Sequence, residues 1–158
     1  MALSIEQLIA LASGAGFSGP DLGTAVSIAL AESGGNPQAY NPERAAGAAQ
    51  GHGSYGLWQI YITAHPEYSA AQLLDPAYNA AAAFSVYQSA GNSFHPWSTF
   101  KNGAYLAHLD VVNATINPPS GDTTAGDGGG SGFDPSGGQM VGLLIGGAVL
   151  FFVLTRYL

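Results

Sequence analysis

The 158-residue chain contains no cysteine, which excludes a disulfide framework and any thiolate chemistry and leaves the redox compartment open. It is nearly as poor in cations: Arg44, Lys101 and Arg156 are the only three, against ten acidic residues, for a formal net charge of −7. Nucleic acid is therefore excluded as a partner, because phosphate binding requires clustered Lys and Arg. The four histidines, His52, His65, His95 and His108, share no metal-ligand spacing, and no set of acids accompanies them. No metal and no other cofactor is expected. Charge is scarce altogether, at 8 % of residues, while 47 % are hydrophobic and 11 % aromatic, enough for a real core.

The length fits one domain with residues to spare, and the chain divides into three segments. Residues 1–116 read as globular and mainly helical. Ser4 and Gln7 have the spacing of a capping box, and Ile5, Leu8, Ile9 and Ala12 fall on one face of a first helix. The opening residues lack a basic stretch and carry Glu6 ahead of the apolar run, so no export signal is expected there. Pro20 and Asp21 suit the first turn of a second helix, which Gly34 and Gly35 end. The segment "GSYGLWQIYIT" (53–63) reads as the one strand or hairpin, "DPAYNAAAAFSVYQSAG" (75–91) as a helix and "NGAYLAHLDVVNATI" (102–116) as the last helix.

Residues 117–139, "NPPSGDTTAGDGGGSGFDPSGGQ", have no helical or strand period and read as a flexible Gly-rich linker. Residues 140–158, "MVGLLIGGAVLFFVLTRYL", are apolar except near Thr155 and Arg156. A bilayer core takes roughly 20 such residues, so a single C-terminal transmembrane helix is expected, with the lipid bilayer as partner. Arg156 suits a snorkelling position, Tyr157 an interface, and Gly142 with Gly146 form a GxxxG pair able to meet another helix.

Within the globular segment Glu32 stands out, as the only charged residue between Asp21 and Glu43. It falls at the C-terminal end of the second helix, where the helix dipole and apolar neighbours both disfavour a carboxylate and raise its pKa. An acid that stays protonated near neutral pH is what cleavage of a glycosidic bond requires, because the leaving sugar oxygen must receive a proton.

Four stretches in order, "ESGGNPQAYN", "GSYGLWQI", "DPAYNAAAAF" and "WSTFKNGAYL", resemble the lysozyme-like superfamily, in particular its lytic transglycosylase branch, over about residues 28–109. The resemblance implies a lysozyme-like α+β domain with a small β element, acting on peptidoglycan glycan strands. It makes Glu32 the catalytic acid and Ser33 beside it a substrate-binding residue, ahead of the Asn36–Pro37 turn. The family segment Gly-x-x-Gly-Leu-Met-Gln-Ile is matched by Gly53, Gly56, Leu57, Trp58, Gln59 and Ile60. Gln59 is then a saccharide-binding amide, or else an amide that satisfies loop backbone. Trp58 replaces the usual methionine, offering an aromatic face to a sugar or filling the core. Tyr105 corresponds either to a tyrosine that contacts the acid or sugar, or to a core side chain. The stretch "AAGAAQGHG" ahead of Gly53 is longer than in many relatives, so one groove wall is expected to differ.

Two-acid glycosidases need a second carboxylate facing the first. Asp21, Glu43, Glu67 and Asp75 all have easy structural readings, which favours a transglycosylase that uses one residue as acid and then base. Single-acid hydrolysis as in a lysozyme, cleavage of chitin, and a non-catalytic wall-binding module are the alternatives. A wall-cutting domain on a C-terminal anchor, with no export signal, is expected in a phage virion membrane, with a bacterial cell membrane as the other setting.

Overall fold

A computed structural model describes residues 1–44 and 51–118. Six helices and a three-stranded antiparallel sheet follow one another in these residues. Helix α1 (Ile5–Ala15) begins with the capping box: Ser4 Oγ accepts from the Gln7 N–H, and Gln7 Oε1 accepts from the Ser4 N–H at 2.9 Å. Helix α2 (Gly19–Ser33) has proline in its first turn and ends on Gly34, whose left-handed backbone (φ 61°) glycine adopts without strain. It is the central helix, with Ala25, Val26, Ile28 and Ala29 fully buried. Small residues along α2 let α1 and α6 approach closely; Gly23 lies against the Asn113 side chain of α6 (Leu106–Ile116), whose amide would have to move to admit a Cβ.

Between the helices lies the sheet, β1 (Tyr40–Pro42), β2 (Gly53–Tyr55) and β3 (Ile60–Tyr61), in that order. The expected hairpin at 53–63 is present as β2 and β3. A further strand, β1, precedes it inside what reads from sequence as glycine-punctuated coil. Its three residues are too few to show a period, and pairing with β2 (Tyr40 with Tyr55, Asn41 with Ser54) is what makes it a strand.

Helix α3 (Ala70–Leu73) and α5 (Ser98–Lys101) are single turns, and α4 (Pro76–Ser89) is capped by Asp75, which accepts from the Tyr78 N–H at 2.8 Å. The last helix starts later than its sequence suggests. Asn102 Oδ1 accepts from the Ala104 N–H at 2.9 Å and Gly103 has φ 78°, so a turn occupies 102–105 and α6 begins at Leu106. Phe17, Phe84, Tyr87 and Phe94 form an aromatic cluster between α2 and α4, closed by the Tyr87 hydroxyl donating to Asp21 Oδ2 at 2.6 Å. That bond and burial push the Tyr87 phenol up to about 12. No helix among the described residues is long and apolar enough to cross a membrane. The transmembrane expectation at 140–158, with Gly142 and Gly146, and the linker from 119 onward lie outside the described residues.

The loop joining β2 to β3 is fixed by buried polar bonds. Asn79 of α4, 1 % exposed, accepts from the Trp58 N–H at 2.8 Å and donates to the carbonyls of Tyr55 and Leu73, both at 3.0 Å. The Trp58 indole N–H donates to the Ala25 carbonyl at 2.9 Å, tying the same loop to α2. Asn79→Ala would strand one amide and two carbonyls away from water, so it should lower unfolding stability by about 2–4 kcal/mol. Urea unfolding followed by tryptophan fluorescence reads this directly; a loss below about 0.5 kcal/mol would show that other contacts hold the loop.

Candidate active site

An open cleft of about 420 Å³ lies between the end of α2, the sheet and the segment before α5, and Glu32, Gln59, Tyr61, His65 and Trp97 are among its lining residues. Glu32 enters from the last turn of α2 and is half-buried. Burial raises its pKa, and the Thr99 hydroxyl, donating to Glu32 Oε1 at 2.7 Å, pulls in the other direction with a smaller effect. The net direction is upward. With Oε1 held as an acceptor, Oε2 is the oxygen left to carry a transferable proton. Glu32 is the only carboxylate lining the cleft among the described residues.

Ser33 does not line the cleft. Its hydroxyl donates to the Ala29 carbonyl at 2.8 Å and accepts from the Gly35 N–H at 3.2 Å, so it fastens the end of α2 and thereby aims Glu32. Trp58 has no exposed surface at all, so the reading in which it stacks on a sugar is corrected. Its ring fills the space beside α2 because its indole N–H finds the Ala25 carbonyl there, a partner that methionine would not need. Trp97 does reach the cleft, as Tyr61 does, and its indole N–H donates to the Trp58 carbonyl at 2.8 Å.

Gln59 satisfies loop backbone, as one of its sequence readings had it, and also lines the cleft. It sits at φ 48°, unusual for a residue with a side chain, and its Nε2 donates to the carbonyls of Gly56 (2.9 Å) and Ala39 (3.3 Å). Two carbonyl acceptors identify the nitrogen end of the amide and leave the oxygen end as an acceptor in a residue that lines the cleft. Tyr105 is not among the residues lining the cleft. Its ring stacks on Phe100, centroids 5.1 Å apart, and its N–H donates to the Thr99 carbonyl at 3.3 Å. It therefore braces the turn that holds Thr99.

Thr99 itself escaped the sequence reading, since threonine in a polar stretch carries no signal of its own. Its role arises only from a contact with a residue 67 positions away.

A family model described as a lysozyme-like domain matches residues 9–99, more than half of the chain. The chain belongs to the lysozyme-like domain family. Neither the curated proteins nor the solved structures give a match. The mainly helical lysozyme-like domain with its small sheet carries a peptidoglycan-cleaving, lysozyme-like function, and the match ends on Thr99, with Tyr105 beyond it.

The Thr99 contact has a measurable consequence. A general acid works while protonated, so rate falls as pH rises through its pKa. Thr99→Val removes a bond that favours the charged form, so the alkaline limb of the pH–rate profile on purified sacculi should move to higher pH. Thr99→Ser should leave it in place. An unmoved limb in the valine variant would separate Thr99 from the acid.

Proposed function

We propose that this lysozyme-like domain is a lytic transglycosylase that cleaves the β-1,4 bond between N-acetylmuramic acid and N-acetylglucosamine, with Glu32 as its catalytic residue. The observation that carries this reading is that Glu32 stands alone as a carboxylate in the described cleft. Glu43, which follows β1 and is not among the cleft's lining residues, has both oxygens engaged, by the Tyr61 hydroxyl and by Thr63 Oγ1. In the first step the Glu32 proton passes to the glycosidic oxygen as the bond from that oxygen to C1 breaks. The sugar's own acetamido oxygen supports the electron-poor C1. Glu32, now a carboxylate, takes the proton of the C6 hydroxyl, and the bond from O6 to C1 closes a 1,6-anhydro ring. No water is consumed, and the acid is restored for the next turnover. The nucleophile belongs to the substrate, so its orientation replaces a second protein carboxylate.

The setting follows from the sequence outside the described residues. The apolar stretch 140–158 serves as a membrane anchor and 117–139 as a tether of a few nanometres, at about 5–6 Å times the square root of its length. Such an arrangement suits a phage virion protein that opens the wall locally at entry. GxxxG pairing through Gly142 and Gly146 would bring two anchors together.

Three experiments test these readings. Glu32→Gln should abolish clearing of sacculi. It should melt no lower than the parent at neutral pH: burial raises the folded pKa of Glu32, so the carboxylate's cost to stability is present once pH has risen through that value. Mass spectrometry of the wild-type products should find 1,6-anhydro ends; mainly reducing ends would make water the nucleophile and the protein a lysozyme. For the anchor, full-length protein bound to membranes should resist extraction by high salt and yield to detergent. Release by salt alone would mean a charged contact rather than an apolar one.

A further inference from the structure

The cleft with Glu32 lies at one end of α2, and a second, smaller cavity of about 190 Å³ lies at the other. Phe17, Phe84 and Tyr87 line it, together with Ser18, Asp21 and Asn92. The Phe17 ring centroid is 5.0 Å from that of Phe84 and 5.3 Å from that of Tyr87, so three aromatic rings meet beside one small space. At about 1.5 Å per residue, Asp21 stands roughly 16 Å along the helix from Glu32. The cleavage chemistry uses none of these residues.

One charge dominates the cavity. Asp21 Oδ2 accepts from the Tyr87 hydroxyl at 2.6 Å, and no other side chain among the described residues bonds to this carboxylate. The ion pairs among the described residues are His52 with Glu43 and His65 with Glu67, so Asp21 has no cation of its own there. Its Oδ1 is left with the capacity to accept from a ligand. The first turn of α2 opposes a cation with roughly half a positive charge, which the full charge of the carboxylate outweighs. Ser18, the N-cap residue, makes no side-chain bond to the helix, so its hydroxyl adds a second acceptor.

Aromatic walls around a single carboxylate fit an organic cation on an apolar stem. The rings attract the positive charge and cover the stem, while Oδ1 takes an N–H. An anion would meet the Asp21 charge. A calcium or magnesium ion takes about six or more oxygen ligands, which a wall built largely of rings does not supply. The volume falls below the roughly 300–1,000 Å³ of cavities that enclose whole ligands, so the space suits the end of a side chain. The net charge of −7 also draws cationic groups toward the chain. Peptidoglycan offers such an end: its strands carry short peptides with a diamino acid, whose free side-chain amine is an ammonium at neutral pH.

We propose that the cavity formed by Phe17, Phe84, Tyr87 and Asp21 binds the side-chain ammonium of a diamino acid in the wall's peptides, as a second attachment point apart from the glycan cleft. The source of the ammonium rests on the wall-cleaving reading of this domain, whereas the preference for an alkyl cation is a property of the cavity alone. Two attachments on one domain raise the effective concentration of the cleft near its strand.

The test uses the full-length protein in mild detergent. In nitrogen–proton spectra of the wild type, n-butylammonium should shift the Phe17, Ser18 and Asn92 amide signals at millimolar concentration, and n-butanol should bind at least about fivefold more weakly. The Glu32→Gln protein should bind purified sacculi about three- to tenfold more tightly than sacculi whose amines have been acetylated. Asp21→Asn, added to it, should abolish that difference, while Glu6→Gln, which removes a negative charge from the exposed side of α1, should keep it. Equal binding of the two small probes, equal binding of the two kinds of sacculi, or a difference that survives Asp21→Asn or vanishes in Glu6→Gln overturns the proposal. If Asp21→Asn fails to fold, the probe and sacculus comparisons decide alone. A preference for untreated sacculi in a protein whose wild type clears none supports the cavity and counts against the glycan-cleaving reading instead.

Discussion

The buried amide of Asn79 is the constraint on which the cleft depends. Three backbone groups, the Trp58 N–H and the carbonyls of Tyr55 and Leu73, meet at its side chain in a region closed to water. Each would cost stability if left without a partner, and one side chain satisfies all of them. The β2–β3 loop is thereby tied to α4, while the Trp58 indole ties it to the Ala25 carbonyl of α2. Gly56 is held so tightly against Asn79 and Leu73 that no Cβ could be accommodated there. Gln59 keeps its strained backbone because the loop around it cannot relax.

From that node the two walls of the cleft are placed relative to each other. Helix α2 carries Glu32 at its last turn, and the loop pinned to that same helix carries Gln59 and leads into β3 with Tyr61. The wall before α5 is held through Trp97, which donates to the Trp58 carbonyl. Trp58 thus links α2 to the wall before α5, which gives this fully buried residue a structural reason to be large and to carry an N–H. A side chain of that kind pre-organises a site without touching what binds in it.

The electrostatics of the cleft are set by scarcity. With few charges in the chain, no cation among the described residues favours the ionised form of Glu32, and burial dominates. Thr99 tempers the effect and distinguishes the two carboxylate oxygens. Glu43 shows the opposite balance: bonds from Tyr61 and Thr63 hold its carboxyl below the usual range, so it stays ionised and serves as an acceptor. Two glutamates in one small domain are driven apart by their surroundings, one toward the acid form and one toward the carboxylate.

Local chemistry was legible in the residues themselves. The capping box at Ser4 and Gln7, the proline and glycine limits of α2, the Asp75 cap of α4 and the position of Glu32 at a helix end are short-range effects, and the sequence alone determined them. The four family stretches determined the lysozyme-like domain, which the matching family model bears out. What only the tertiary structure decided lies across long separations in the chain. Strand β1 exists because β2 pairs with it, and Trp58 is core because Ala25 offers a carbonyl. Tyr105 turns to Phe100 while Thr99 reaches Glu32, although a reading by residue type favours the tyrosine. Periodicity and caps are written within a few neighbouring residues, whereas a hydrogen bond between positions 32 and 99 depends on how every intervening element packs.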